Sequence, residues 1–320
     1  VTGAGAAWRL PAPPVVRSIV AATDLTPSCD EVLRAAAALA GATAARLHVV
    51  HAFDLPATGY AEFDLSPPPF YERWLDEAVR ALGAQVARTV PPDVPVASRR
   101  VYLHAAHEAI LERVREVGAD LVVVGAHRRR DPGASFLGTT ADRVVRSSDA
   151  PCLVVRAPLA LPVRRVVVPF DLSEPSRDAL DLAVAWAGGL GAYDPEAGIP
   201  ETELDVVHVI PDVFFPSGLS FDRAVVGPRL HDAVEAALSR SALATGLPVR
   251  EEVVWGSPTA EVIVRYAREM EADVLVLATH GHGALKRALI GSVAQGVARS
   301  APCPVALVPP ELRAGSDPDG

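Results

Sequence analysis

Val163-Arg-Arg-Val-Val-Val-Pro-Phe-Asp171-Leu-Ser-Glu-Pro-Ser176 is a short β-branched run, then an aspartate, then capping residues, and an Ala/Leu-rich helical pattern follows it. The same order of features stands near the amino end, in Val16-Arg-Ser-Ile-Val-Ala-Ala-Thr-Asp24-Leu-Thr-Pro-Ser28. Further along, Gly118-Ala-Asp120-Leu-Val-Val-Val-Gly125-Ala-His127 is answered by Glu271-Ala-Asp273-Val-Leu-Val-Leu-Ala278-Thr-His280. Ala150-Pro-Cys152 is answered by Ala301-Pro-Cys303, each entering an apolar run as a matching repeat position. Echoes in the same order mean that the chain is one unit written twice.

Within each copy, apolar runs alternate with helical periods. Strands are expected near 16–22, 46–52, 95–101, 120–126 and 152–156, then near 164–170, 204–210, 248–255, 273–278 and 304–308. Helices are expected near 27–40, 70–89, 104–117 and 138–147, then near 174–189, 223–244, 258–271 and 291–300. The strands read as continuous Val/Leu/Ile runs, the pattern of burial on both faces. Strand–helix alternation of this kind gives an α/β fold, with two tandem open five-stranded parallel sheets covered by helices on both faces. Two prolines in 158–162 interrupt both periods and mark a linker between domains at 15–157 and 163–310. Residues 1–14 and 311–320 read as loose tails, the first not as a signal peptide. Segments 53–69 and 211–222 read as surface loops at a site's rim.

The 320 residues fit two domains of about 150 each, and a composition half apolar and 22% charged fits a core-forming globular chain. No run approaches the ~18 uncharged apolar residues of a membrane span. A net charge of −9 argues against a general nucleic-acid binder, while leaving room for one bound nucleotide on local amides. Cys29, Cys152 and Cys303 show no paired spacing, which fits packing roles in a reducing cytoplasm.

In an open parallel sheet, ligands bind beyond the carboxyl ends of the strands where strand order reverses. In the second copy, Pro169-Phe170-Asp171 ends the first strand, and Ala278-Thr279-His280-Gly281-His282-Gly283 ends the fourth. Gly281 and Gly283 let backbone approach a ligand without a Cβ in the way. Gly291-Ser292-Val293 opens a helix, whose free N–H groups, hydroxyl and dipole suit phosphate. Asp171 suits the ribose or base end, as an acceptor. Lys286, the single lysine, reads equally as a phosphate contact or a surface charge. A P-loop and a Gly-x-Ser-x-Gly elbow are both absent from the sequence. His48/His51 and His104/His107 read as structural and not as metal ligands, since no third ligand accompanies them.

At these residues the chain resembles the universal stress protein family. Its ATP-binding branch carries Gly-x2-Gly-x9-Gly-Ser/Thr after the fourth strand; here Gly281-x9-Gly291-Ser292 fits and Ala278 replaces the first glycine. Val293-Ala294, Ala301-Pro302-Cys303-Pro304-Val305 and Val168-Pro169-Phe170-Asp171 also look like the family, over roughly 15–156 and 163–309. The resemblance implies an adenine nucleotide α-hydrolase-like, Rossmann-like fold. It also implies adenine contacts by main chain at His208-Val209, and ATP, with or without Mg2+, as ligand. In the first copy Gly125, Gly138 and Thr139 keep the pattern, Arg128 takes the second glycine's place, and Thr23, Asp24 and Ala52 complete a weaker site. Further implications are a cytoplasmic regulatory role in stress response without enzymatic turnover beyond slow hydrolysis, and an unknown protein partner. The halves are expected to pair through their last strands as a pseudo-dimer, with a further pairing of chains left open. Two alternatives are a scaffold with spent sites and, less favoured, an adenylyl-transfer or pyrophosphatase enzyme.

Overall fold

A computed structural model describes residues 16–53, 70–126, 138–194, 196, 199–212, 223–281 and 290–310. The first half runs β1 (Ser18–Thr23), α1 (Asp30–Thr43), β2 (Arg46–Ala52), α2 (Phe70–Thr89), β3 (Val96–Tyr102), α3 (Ala106–Val117), β4 (Leu121–Gly125), α4 (Thr139–Ser147) and β5 (Cys152–Val155). The second runs β6 (Arg165–Pro169), α5 (Glu174–Gly189), β7 (Tyr193–Asp194), β8 (Ile199–Pro200), β9 (Glu203–Ile210) and α6 (Arg223–Arg240). It continues with β10 (Val249–Trp255), α7 (Thr259–Glu269), β11 (Val274–Ala278), α8 (Ser292–Ser300) and β12 (Val305–Val308).

Ten strands form one sheet in the order β10-β9-β6-β11-β12-β5-β4-β1-β2-β3. Within this sheet every pairing inside a half is parallel, and the seam between β12 and β5 is antiparallel, with Val305 opposite Val154 and Leu307 opposite Cys152. The strands of the two halves therefore point opposite ways. In each half the order reverses beside the first strand, which lies between the second and the fourth. Helices α1, α2, α5 and α6 pack on one face and α3, α4, α7 and α8 on the other, and each face has a core containing residues of both halves.

The repeated Ala-Asp pairs explain themselves here. Asp120 Oδ2 accepts the amides of Arg17 and Ser18 at 2.8 and 2.9 Å, and Asp273 Oδ2 accepts those of Arg164 and Arg165 at 2.6 and 3.0 Å. Each aspartate clamps the fourth strand's start to the first strand's start, using charge-assisted bonds to amides that the ladder leaves open.

Three readings from sequence need correction. The edge strands β3 and β10 are not continuous apolar runs: they carry Arg99 and Arg100, or Arg250, Glu251 and Glu252, because only one neighbour covers an edge and charge there discourages pairing with other chains. An additional antiparallel hairpin, β7–β8, stands between α5 and β9. Finally, Cys152 and Cys303 are not structural equivalents. Cys152 lies within β5 opposite Val122, whereas the residue of the second half in that register is Val305, opposite Leu275. The Ala-Pro-Cys string has slid by two residues, a shift that keeps each side chain on its original face of the sheet. Burial pushes the thiols of Cys29, Cys152 and Cys303 up to about 12, so all three are packing residues.

Candidate functional site

Both halves turn out of their first strand by the same device. Asp24 Oδ1 accepts the amide and hydroxyl of Thr26 at 2.9 and 2.6 Å; Asp171 Oδ1 accepts the amide of Ser173 at 3.0 Å together with its hydroxyl. The intervening Leu25 and Leu172 sit in the left-handed region, at φ 66° and 68°, which is unfavourable for a branched side chain. Both leucines pack against the core, and that contact together with the aspartate's bonds offsets the strain. The result is an exposed carboxylate held at the strand's carboxyl end. Behind it, His51 Nδ1 donates to Thr23 O at 2.9 Å and His208 Nδ1 to Phe170 O at 2.8 Å, tying the second strand's end to the first's.

In the second half, the end of β11 reaches this carboxylate. A Cβ built on Gly281 would meet Asp171 Oδ2, so any larger residue at 281 requires that exposed carboxylate to turn aside. Ala278 closes the ladder opposite Val308, and Thr279 N–H donates to Val308 O at 2.8 Å. Thr279 is buried, its hydroxyl between His280 Nδ1 at 2.8 Å and Val308 O at 3.3 Å, so that its side chain faces β12. His280 is 9% exposed, and among the described residues its Nε2 has no hydrogen-bond partner.

Gly291 is the N-cap of α8, and among the described residues no side chain caps that helix. Its own amide is not free, as the sequence had led us to expect: it donates to Thr279 O at 2.7 Å. That bond docks the helix start onto the end of β11, and the open donors are those of the first turn beyond it, beginning with exposed Ser292 and half-buried Val293. A Cβ at Gly291 would come within 3.3 Å of Thr279 O, so this approach also favours glycine. The first turn of α8 contains no acidic residue.

Of the other expected contacts, Pro169 ends β6 and Phe170 is buried in the core, its amide donating to Val207 O at 2.9 Å. Val209 lies inside the β9–β10 ladder opposite Val254, one residue short of the strand's end. Ala52, its counterpart, pairs with Tyr102. Gly283, His282 and Lys286 lie outside the described residues, as does Arg128.

The first half assembles a different rim. Thr23 is buried and donates its hydroxyl to Gln85 Oε1 at 2.7 Å; Gln85 Nε2 donates in turn to Asp30 Oδ1, also at 2.7 Å, and Arg88 grips the same carboxylate. That guanidinium holds Asp30 below the usual carboxylate range. A Cβ at Gly125 would meet Val32 at 3.2 Å, a tight but yielding contact. Gly138 caps α4 as Gly291 caps α8, with Thr139 exposed behind it, yet the first turn of α4 carries Asp142. Gln295 stands at that place in α8. This difference was readable in the sequence by laying Gly138-Thr139 over Gly291-Ser292. Among the described residues, no group of His, Cys, Asp and Glu is arranged to hold a metal ion, and no helix is long and apolar enough to cross a membrane.

The comparisons with known proteins agree with this architecture. A universal stress protein of Methanocaldococcus jannaschii is 32% identical over 148 residues, covering 45% of this chain and 81% of its own. A second, from Thermus aquaticus, is 31% identical over 145 residues, covering 45% of this chain and 98% of its own. Across both halves, the structure of a universal stress protein from Archaeoglobus fulgidus superposes with a TM-score of 0.65 at 17% identity, covering 92% of this chain and 97% of that one. The sequence model of the universal stress protein family matches twice, at residues 16–156 and 162–309, and the chain belongs to that family as a tandem member.

Proposed function

We propose that this chain is an ATP-binding regulator of stress response, with nucleotide held mainly by its second half. The observation that supports the reading is the close approach of Gly281 to Asp171, beside a helix start that no side chain caps among the described residues. Asp171 accepts from the ribose or base, and Gly281 adds no side chain of its own beside it. The phosphates meet the first-turn amides and hydroxyl of Ser292 at the positive end of α8. Mg2+ entering with the nucleotide would lower the charge of its phosphates.

The chain acts through occupancy and not through turnover, in the cytoplasm, and its antiparallel β5–β12 seam makes one polypeptide serve as a pseudo-dimer. Purified protein is denatured and its released small molecules are analysed, and its melting temperature is followed with added ATP. Adenine nucleotide near one per chain, or an ATP-dependent rise in melting temperature, is expected. Neither would leave the scaffold reading, which the engaged Gly291 amide favours, as the better account.

A further inference from the structure

The antiparallel seam puts the carboxyl end of β5 at the sheet end where α8 finishes. Arg156, the first residue after β5, is half-buried there, and its Nη1 donates to Ala298 O in the last turn of α8 at 3.4 Å. The other end of α8 is docked through the Gly291 amide onto Thr279 O. A helix of nine residues, about 14 Å long, is thus gripped at one end by its own half and at the other by an arginine from the opposite half. The Arg156 contact has no sequence counterpart on the other side. Position 309, which follows β12 as 156 follows β5, is proline and brings no side-chain donor to α4.

We propose that Arg156 is a positioning residue for the phosphate end of the second half's site, an inference that rests on the nucleotide reading above. A guanidinium on the last carbonyls offsets the helix's negative pole, so the positive pole at Ser292 acts on a phosphate with less cancellation. It also fixes the tilt of α8, and with it the place where the first-turn amides point. Each helix has an arginine of its own in its last turn, Arg299 in α8 and Arg146 in α4; α8 adds Arg156 from the opposite half and has no acid in its first turn, whereas α4 has Asp142 there.

Titration calorimetry of the full chain with Mg-ATP compares wild type, Arg156→Gln and Arg156→Lys. Arg156→Gln is expected to weaken ATP about two- to fivefold. Arg156→Lys, which keeps the charge, recovers most of that loss, and the three unliganded melting temperatures agree within about 2 °C. A Gln variant that binds as wild type does, a Lys variant as weak as the Gln variant, or ATP affinity falling together with unliganded melting temperature overturns the proposal while the nucleotide reading stands. Wild type that takes up no ATP removes that reading, and the role of Arg156 with it.

Discussion

At the end of β1, Thr23 donates its hydroxyl to Gln85 of α2; at the same place in the second half, Phe170 is a buried ring. Beyond it, Asp171 meets a glycine, while the first half's counterpart of Gly281 is Arg128. In contrast, the Asp120 and Asp273 clamps, the aspartate turns and the His51 and His208 ties are kept in both halves. The contacts retained are those that build the sheet and aim its strand ends. Of those that differ, Thr23 and Phe170 stand next to the two turn aspartates, and Gly281 approaches one of them. Duplication thus left one scaffold twice and allowed two rims to diverge on it.

The strongest way to break this contrast is to write the first half's residue into the second. Gly281→Arg puts a Cβ against the Asp171 carboxylate and a long side chain into the space beside it. A side chain occupying the nucleotide's place should lower ATP affinity by roughly ten- to a hundredfold in calorimetry, about 1.4–2.8 kcal/mol of binding, with far-UV circular dichroism unchanged. Unaltered affinity would move the nucleotide to the first half or remove it.

A second contrast lies away from the strand ends. Under α3, His48 is buried with Nδ1 at 2.8 Å from Ser98 Oγ and 3.2 Å from Arg113 Nη2, whereas the second half's equivalent is Asp205, paired with Arg165 at 3.1 Å. Burial first, then the Arg113 and Arg46 charges, hold the imidazole's pKa below its ordinary 6.5. Unfolded chain therefore binds a proton that folded chain refuses. Stability from this group is complete above about 6.5 and declines as pH falls toward the folded value, by up to about 1.4 kcal/mol per unit of depression. Urea unfolding at stepped pH should show that slope for wild type, and a shallower one for His48→Phe. Equal slopes would mean that other groups carry it.

Much of this molecule was legible in its sequence, because buried parallel strands are written as apolar runs and capping residues mark the helix starts. Residues 70–89 and 174–189 read as helices at the bounds that α2 and α5 take. The hairpin β7–β8 escaped notice since two-residue strands have no period to detect. The engagement of the Gly291 amide was equally hidden, as it depends on where β11 ends in space. Leu25 and Leu172 gave no sign of left-handed backbone either, because glycine or asparagine is the residue that advertises it. Gln85, midway along an amphipathic helix, offered nothing to mark it as the buried partner of Thr23.

Returning to the rim, Ser292→Ala removes one neutral donor from the phosphate end while leaving the amides in place. It should cost about 1 kcal/mol of ATP binding, roughly a fivefold loss by calorimetry. No change would place the phosphates on the backbone alone.

The smallest effect separates the two helix starts by a single charge. Gln295→Asp copies Asp142 into the first turn of α8, where a carboxylate favours the helix dipole but opposes phosphate. The two consequences have opposite signs: the unliganded melting temperature should rise slightly, and ATP affinity should fall about two- to fivefold. The reciprocal Asp142→Gln should do the reverse to the first half, lowering stability as the Arg146 ion pair is lost and removing one repulsion from its rim. Measured in the Gly281→Arg background, where the second site is closed, a gain in ATP uptake would show that charge helped to silence the first half. If uptake stays at zero, steric filling of that rim is sufficient by itself, and the acid at 142 serves only its own helix.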